Sequence, residues 1–197
     1  MNRDTRLALV QTRLASLARA VEAGASHAEE IAALAEQFAT VLRAGGTLYF
    51  AGNGGSAADA QHLATEYAVR YTRSRPALAA RALTTDTSLL TAAGNDFGFD
   101  QIFARQVEAY CRPGDVLVLH STSGQSRNLL EAARAARNRQ VQVVAFLGKG
   151  GGELAALADR AVVIASSDTS EIQVLHLALE HLIVELVESE LFVSVKA

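Results

Sequence analysis

The 197-residue chain contains one cysteine and two prolines, and each shortage narrows what it can be. A lone Cys111 excludes an internal disulfide; with no secretory leader ahead of Leu7, the expected compartment is the cytoplasm. No apolar run approaches the roughly 18 residues that a membrane-spanning helix needs, so no membrane partner is expected. Only Pro76 and Pro113 interrupt the chain, and no low-complexity linker or internal repeat divides it, so one domain over residues 1–197 is expected. A formal net charge of −3, with the basic residues scattered, argues against a nucleic-acid surface. What the chain has in quantity is apolar side chains, 50% of the total, enough for one good core.

Period and punctuation give the order of elements. Two helical patterns come first, over residues 4–22 and 27–43, split by Gly24 and closed by Gly45 and Gly46. Apolar runs then alternate with helical patterns: Thr47 to Ala51, Ala79 to Leu83, Val116 to Leu119, Val141 to Leu147 and Ala161 to Ala165, before a last helix from Thr169 to Phe192. Strands separated by helices pair in parallel through right-handed crossovers. The expected fold is α/β: a doubly wound, flavodoxin-like, five-stranded parallel sheet with an N-terminal helical extension. Residues 1–45 carry more apolar side chains than a stripe beside a small sheet would bury, so the extension is read as an oligomerisation element.

The first strand ends in Gly52-Asn53-Gly54-Gly55-Ser56. Ser56 with Asp59 three residues on reads as a capping box opening a helix, and such a junction aims free N–H groups and a positive helix end at one point. His62 and Glu66, four residues apart, would leave one face of that helix together. Alone, a glycine turn is a common device, and a His/Glu pair at that spacing is often a solvated surface pair.

A second junction shifts the balance. Val116 to His120 is followed by Ser121-Thr122-Ser123-Gly124-Gln125-Ser126 and a helical pattern from Asn128 to Asn138. Hydroxyls at a helix start can wrap the oxygens of a phosphate while the helix amides supply further bonds. The loop has no lysine, and the Gly-x-x-x-x-Gly-Lys-Ser/Thr pattern of nucleotide-hydrolysing loops is absent, so a phosphomonoester is expected and no nucleotide. Capping and turn bonds alone would occupy one or two of the four hydroxyls.

The last helix opens with Ser166-Ser167-Asp168-Thr169-Ser170-Glu171 and carries Gln173, His176 and His181. Gln173 and His181 lie about 80° apart on the helical wheel, near enough to converge, whereas His176 and His181 are about 140° apart. His176 reads as a structural histidine.

Taken together, these junctions resemble the sugar isomerase (SIS) domain family and, within it, the phosphoheptose isomerases. These interconvert sedoheptulose 7-phosphate and D-glycero-D-manno-heptose 7-phosphate. The resemblance runs over essentially the whole chain, and Asn95-Asp96-Phe97-Gly98-Phe99 adds to it. It implies Glu66 and His181 as the catalytic pair and Ser121, Thr122, Ser123 and Ser126 as phosphate ligands. Asn53, Gly54, Gly55, Ser56, Asn95, Asp96 and Gln173 would line the sugar. It further implies one zinc per subunit on His62, Glu66, Gln173 and His181, and a homotetramer with sites between subunits, where Arg70 could reach a neighbour's phosphate.

The residue types suit that chemistry, since moving a carbonyl between C2 and C1 needs a base, an acid and a means of holding an enediol. Two other readings stay open: a non-catalytic SIS module, against which Glu66 and His181 both stand, and an isomerase of another sugar phosphate. One departure is Ser170, three before Gln173, where some relatives carry aspartate; Asp168 or Glu171 could compensate.

Overall fold

The computed structural model describes residues 1–192. One parallel sheet is built from β1 (Leu48–Gly52), β2 (Ala80–Ala82), β3 (Val116–Ser121), β4 (Gln142–Leu147) and β5 (Arg160–Val163), in the order β2-β1-β3-β4-β5. Phe50 of β1 lies level with Ala82 of β2 on one side and Val118 of β3 on the other. The strand runs read from the sequence match these elements, differing only at their ends.

The helices are α1 (Arg3–Gly24), α2 (Ala28–Arg43), α3 (Gly55–Ala68), α4 (Thr87–Phe97), α5 (Ala104–Tyr110), α6 (Arg127–Asn138), α7 (Gly152–Leu157) and α8 (Thr169–Leu191). Alternation along the strands sorts the core into two layers, as a sheet covered on both faces requires. Leu48, Phe50, Val118 and Phe146 pack with α2, α3 and α8. Tyr49, Ala51, Leu119 and Ala145 face α4 to α7. Cys111 is a free, buried thiol whose pKa burial pushes up to about 12, so it is inert at neutral pH.

The two N-terminal helices are packed differently. In α2 the residues Ile31, Leu34 and Phe38 form a helical stripe buried against the sheet and α8. Each such side chain contributes about 1.5–3 kcal/mol, so α2 belongs to the domain core. By contrast, Gly24 is the one buried residue of α1. Its Leu7, Leu9, Val10 and Leu14 stay 50–62% exposed. Leu17 and Ala20 pack partly buried against the core, and two polar contacts add to them: Arg13 pairs with Asp168 at 2.6 Å, and Ser16 donates to Glu171 at 2.6 Å.

Candidate functional site

The strand order reverses between β1 and β3, and in open α/β sheets the crevice at the carboxyl ends of such strands collects ligands. Both loops singled out in the sequence emerge there. Between β1 and α3, the N-cap is Gly54 at φ 58°, with no side-chain cap. Ser56 therefore does not open the helix as expected; it lies in the first turn and is buried. The glycine turn enters the helix before Ser56 is reached, which leaves the N–H groups of Gly55 and Ser56 without intrahelical partners. Asp59 makes no capping bond either: one of its oxygens is buried without a partner, and burial raises its pKa against the opposing pull of His120 and His62.

Asn53 in this turn and Asn128 in the first turn of α6 exchange two amide hydrogen bonds of 2.9 Å each. The two junctions are thereby tied to each other. In the second loop, Ser121 Oγ accepts from the Gly124 N–H at 2.9 Å and Ser123 Oγ from the Gln125 N–H at 3.3 Å. Ser126 is the N-cap of α6 without a side-chain cap bond. Two of the four hydroxyls thus shape the turn, and those of Thr122 and Ser126 carry no such bond among the described residues. Gly124, at φ 64°, has no room for a Cβ because the Gly151 carbonyl fills that space. Its own carbonyl accepts from the Leu154 N–H at 3.0 Å, which braces the loop.

Helices α3 and α8 lie side by side. At their starts, the Gln173 amide covers Gly55 so closely that a Cβ there would sit 2.5 Å from its Nε2. Further along, His62 Nε2 lies 2.9 Å from His181 Nε2 and 3.3 Å from Glu66 Oε1. One donor atom from each of His62, Glu66 and His181 falls within 4.8 Å of the others. Two imidazoles and a carboxylate at that spacing form a donor set that suits zinc. Gln173 lies eight residues before His181, about 12 Å of helical rise, with its amide over Gly55 at the start of α3. His181 has its pKa lowered, first by partial burial and then by His62, with Glu66 opposing.

Asn95 and Asp96 are exposed at the end of α4, where the Asn95 amide donates to the Asp96 carboxylate at 2.7 Å. Arg70 is exposed just beyond α3. Asp168 and Glu171 do not stand in for an aspartate at position 170. Asp168 accepts from Ser170 and pairs with Arg13, and Glu171 accepts from Ser16 and Ser166.

The sequence reading missed the buried polar groups behind the site. His120, stacked between Phe50 and Phe146, meets both oxygens of Glu180 at 2.8 and 2.9 Å. Burial disfavours its charged form, but Glu180 outweighs this and raises its pKa. Glu188 is likewise buried, paired with Arg75 at 2.7 Å. At about 100° per residue Glu180 falls at the edge of the apolar stripe of Ile172, Leu175, Leu179, Ile183 and Val187, a signal for its burial, whereas Glu188 lies about 140° from Ile183 and gives none. His176 is structural, as expected: it bonds the Leu147 carbonyl at 3.1 Å, and burial pushes its pKa down to about 3.

Comparison with known proteins agrees with this geometry. The SIS domain family model matches residues 13–148. A phosphoheptose isomerase of Akkermansia muciniphila is 46% identical over 183 residues, covering 93% of this chain and 97% of the relative. One from Rhodospirillum rubrum is 55% identical over 150 residues, 76% of this chain and 80% of the relative. The solved phosphoheptose isomerase of Neisseria gonorrhoeae superposes with a TM-score of 0.87 at 41% identity, covering 93% of this chain and 98% of that one. By the family model and by these relatives, with a sheet order that agrees, the chain belongs to the SIS domain family.

Proposed function

We propose that this chain is an aldose-ketose isomerase that converts sedoheptulose 7-phosphate to D-glycero-D-manno-heptose 7-phosphate, a step of heptose biosynthesis. The observation that carries the reading is the convergence of Glu66 and His181 in a chain that also builds a lysine-free hydroxyl cradle at the sheet's ligand edge. Relatives at 46% and 55% identity named for this activity support the choice of sugar.

In this reading Thr122, Ser126 and the first amides of α6 hold the phosphate, with Ser121 and Ser123 shaping the loop. Asn53, Gly54, Gly55, Ser56 and Gln173 meet the sugar hydroxyls, and Asn95 and Asp96 reach it from α4. Glu66 takes the proton from C1, the carbon next to the C2 carbonyl, as the C1–C2 double bond forms. His181 delivers a proton to O2 and recovers one from O1. The proton on Glu66 then returns to C2, so the sum is two hydrogens moved, one from C1 to C2 and one from O1 to O2, and no group lost.

His62, Glu66 and His181 would hold one zinc per subunit. A metal there supplies Lewis acidity toward the sugar carbonyl. A carboxylate has two oxygens, so Glu66 would have one for the metal and one for the proton.

Glu66 of the acid/base pair lies about 16 Å further along α3 than the glycine turn, eleven residues beyond Gly55 at helical rise. Leu182 and Leu186, flanking His181 on α8, stay 50% and 43% exposed, as do the apolar residues of α1. A homotetramer that covers these faces and completes each site between subunits, with Arg70 reaching a neighbour's phosphate, accounts for both features. No described helix is long and apolar enough to cross a membrane, and a cytoplasmic enzyme fits that.

The decisive experiment is turnover of purified protein on a panel of five- to seven-carbon ketose phosphates, with and without chelator. Preference for sedoheptulose 7-phosphate is expected. Activity on none of them would end the isomerase reading.

A further inference from the structure

The loop that follows α3 is fastened by a single carboxylate. Glu188, on α8 seven residues after His181, accepts from the backbone N–H of Tyr71 at 2.8 Å, Thr72 at 3.0 Å and Arg73 at 3.1 Å. It also accepts from Thr72 Oγ1 at 3.0 Å and Arg75 Nε at 2.7 Å. Its side chain is 0% exposed and that of Arg75 1%. A buried charge is tolerated only when its lone pairs are met, and here five donors meet them.

Arg75 extends the same anchor to the other side. Its Nη2 donates to the Glu66 carbonyl at 2.7 Å and its Nη1 to the Tyr67 carbonyl at 2.8 Å. These are last-turn carbonyls of α3, which lack helical partners and carry the negative end of the helix dipole. One ion pair therefore grips the backbone of Glu66 and, through Glu188, the backbone of Tyr71.

The Tyr71 ring lies flat on the His181 imidazole, with centroids 5.2 Å apart and planes 10° from parallel. On the other side the His62 ring meets His181 edge-on, at 5.0 Å and 68°. Rotation of the His181 ring about its Cβ–Cγ bond would carry Nε2 away from His62 and Glu66. A stacked ring opposes that motion, because turning the imidazole forfeits the face-to-face contact.

We infer that Tyr71 is a positioning residue for His181: anchored by the Arg75–Glu188 pair, its ring holds the imidazole at the angle that aims Nε2 at His62 and Glu66. The inference rests on the proposed role of His181. Its functional content is precision, since small misplacements of a reacting group cost about 10²-fold or less in rate.

The test compares Tyr71→Phe, which keeps the ring, with Tyr71→Leu, which keeps apolar volume without it. On metal-free protein, the His181 ring protons should show the upfield ring-current shift in wild type and Tyr71→Phe and lose it in Tyr71→Leu. For sedoheptulose 7-phosphate, kcat should stay within about twofold in Tyr71→Phe and fall about tenfold in Tyr71→Leu, with KM within about twofold in both. A Tyr71→Leu enzyme with wild-type kcat, or a Tyr71→Phe enzyme as slow as Tyr71→Leu, overturns the inference. Glu66→Gln assayed alongside separates the two readings. Full activity there would sink the catalytic assignment, while the ring-current comparison would still decide whether Tyr71 holds His181.

Discussion

Asn53 and Asn128, 75 positions apart, face each other amide to amide and satisfy both donors and both acceptors with two bonds of 2.9 Å. The pair locks the glycine turn after β1 to the helix that starts behind the phosphate loop, so the two halves of the ligand crevice keep one spacing. Asn128 is almost fully buried. Asn128→Leu should leave the Asn53 amide unpaired and cost about 1–3 kcal/mol. Thermal unfolding should shift down, and KM for the sugar phosphate should rise more than kcat falls. Unchanged KM would mean that the crevice does not depend on this pair.

Glu66→Gln removes the proposed general base while keeping shape, and turnover should fall by about 10²-fold or more. Solvent-proton exchange at C1 of the ketose should fall with it. Because the same carboxylate belongs to the His62/His181 cluster, zinc affinity measured by calorimetry should weaken too. Normal exchange in this variant would reassign the base.

The hydroxyls of the phosphate loop should separate into two classes. Thr122→Val with Ser126→Ala removes donors that the loop does not use for its own turn, so inhibition by inorganic phosphate should weaken, each lost charge-assisted bond being worth about 1.5–3 kcal/mol. Ser121→Ala should add a loss of stability, because its oxygen accepts from the Gly124 N–H. Unchanged phosphate inhibition in the double variant would refute the cradle.

Acid stability should report on Glu188. Burial by itself would raise its pKa, yet hydrogen bonds from Tyr71, Arg75 and Thr72 hold it at about 2, against an ordinary 4.5. A depressed carboxyl pKa contributes stability that is complete above the unfolded value and disappears as pH falls through the folded one. The contribution, about 3 kcal/mol, should therefore be present above pH 4.5 and be lost between there and pH 2. In urea unfolding followed against pH, Glu188→Gln should be less stable at neutral pH and show a shallower decline over that window. An equal slope in the variant would place the acid lability elsewhere.

Removing residues 1–22 deletes a helix whose apolar side chains are largely exposed, while α2, α3 and α8 keep the domain core. Smaller species with little activity are expected by light scattering and assay. A fully active monomer would refute assembly through α1.

Much of this was legible before any coordinates. Strand runs, the glycine turn, the hydroxyl loop and the opposed helical patterns are local signals, set by period and by residues whose backbone preferences act within a few positions. Local signals fail where partners are distant in sequence. Ser56 reads as a cap until the turn places Gly54 there instead. Glu188 reads as one more charge on a helix, and only the packed fold brings Tyr71, Thr72, Arg73 and Arg75 to it from more than 110 positions away. The sequence by itself determined the parallel α/β layering and the chemistry available at its ligand edge, because periodicity and residue type are short-range properties. Tertiary structure alone decided which carboxylates are buried and paired, and which rings face His181, because those depend on desolvation and contacts that exist only once the helices have packed.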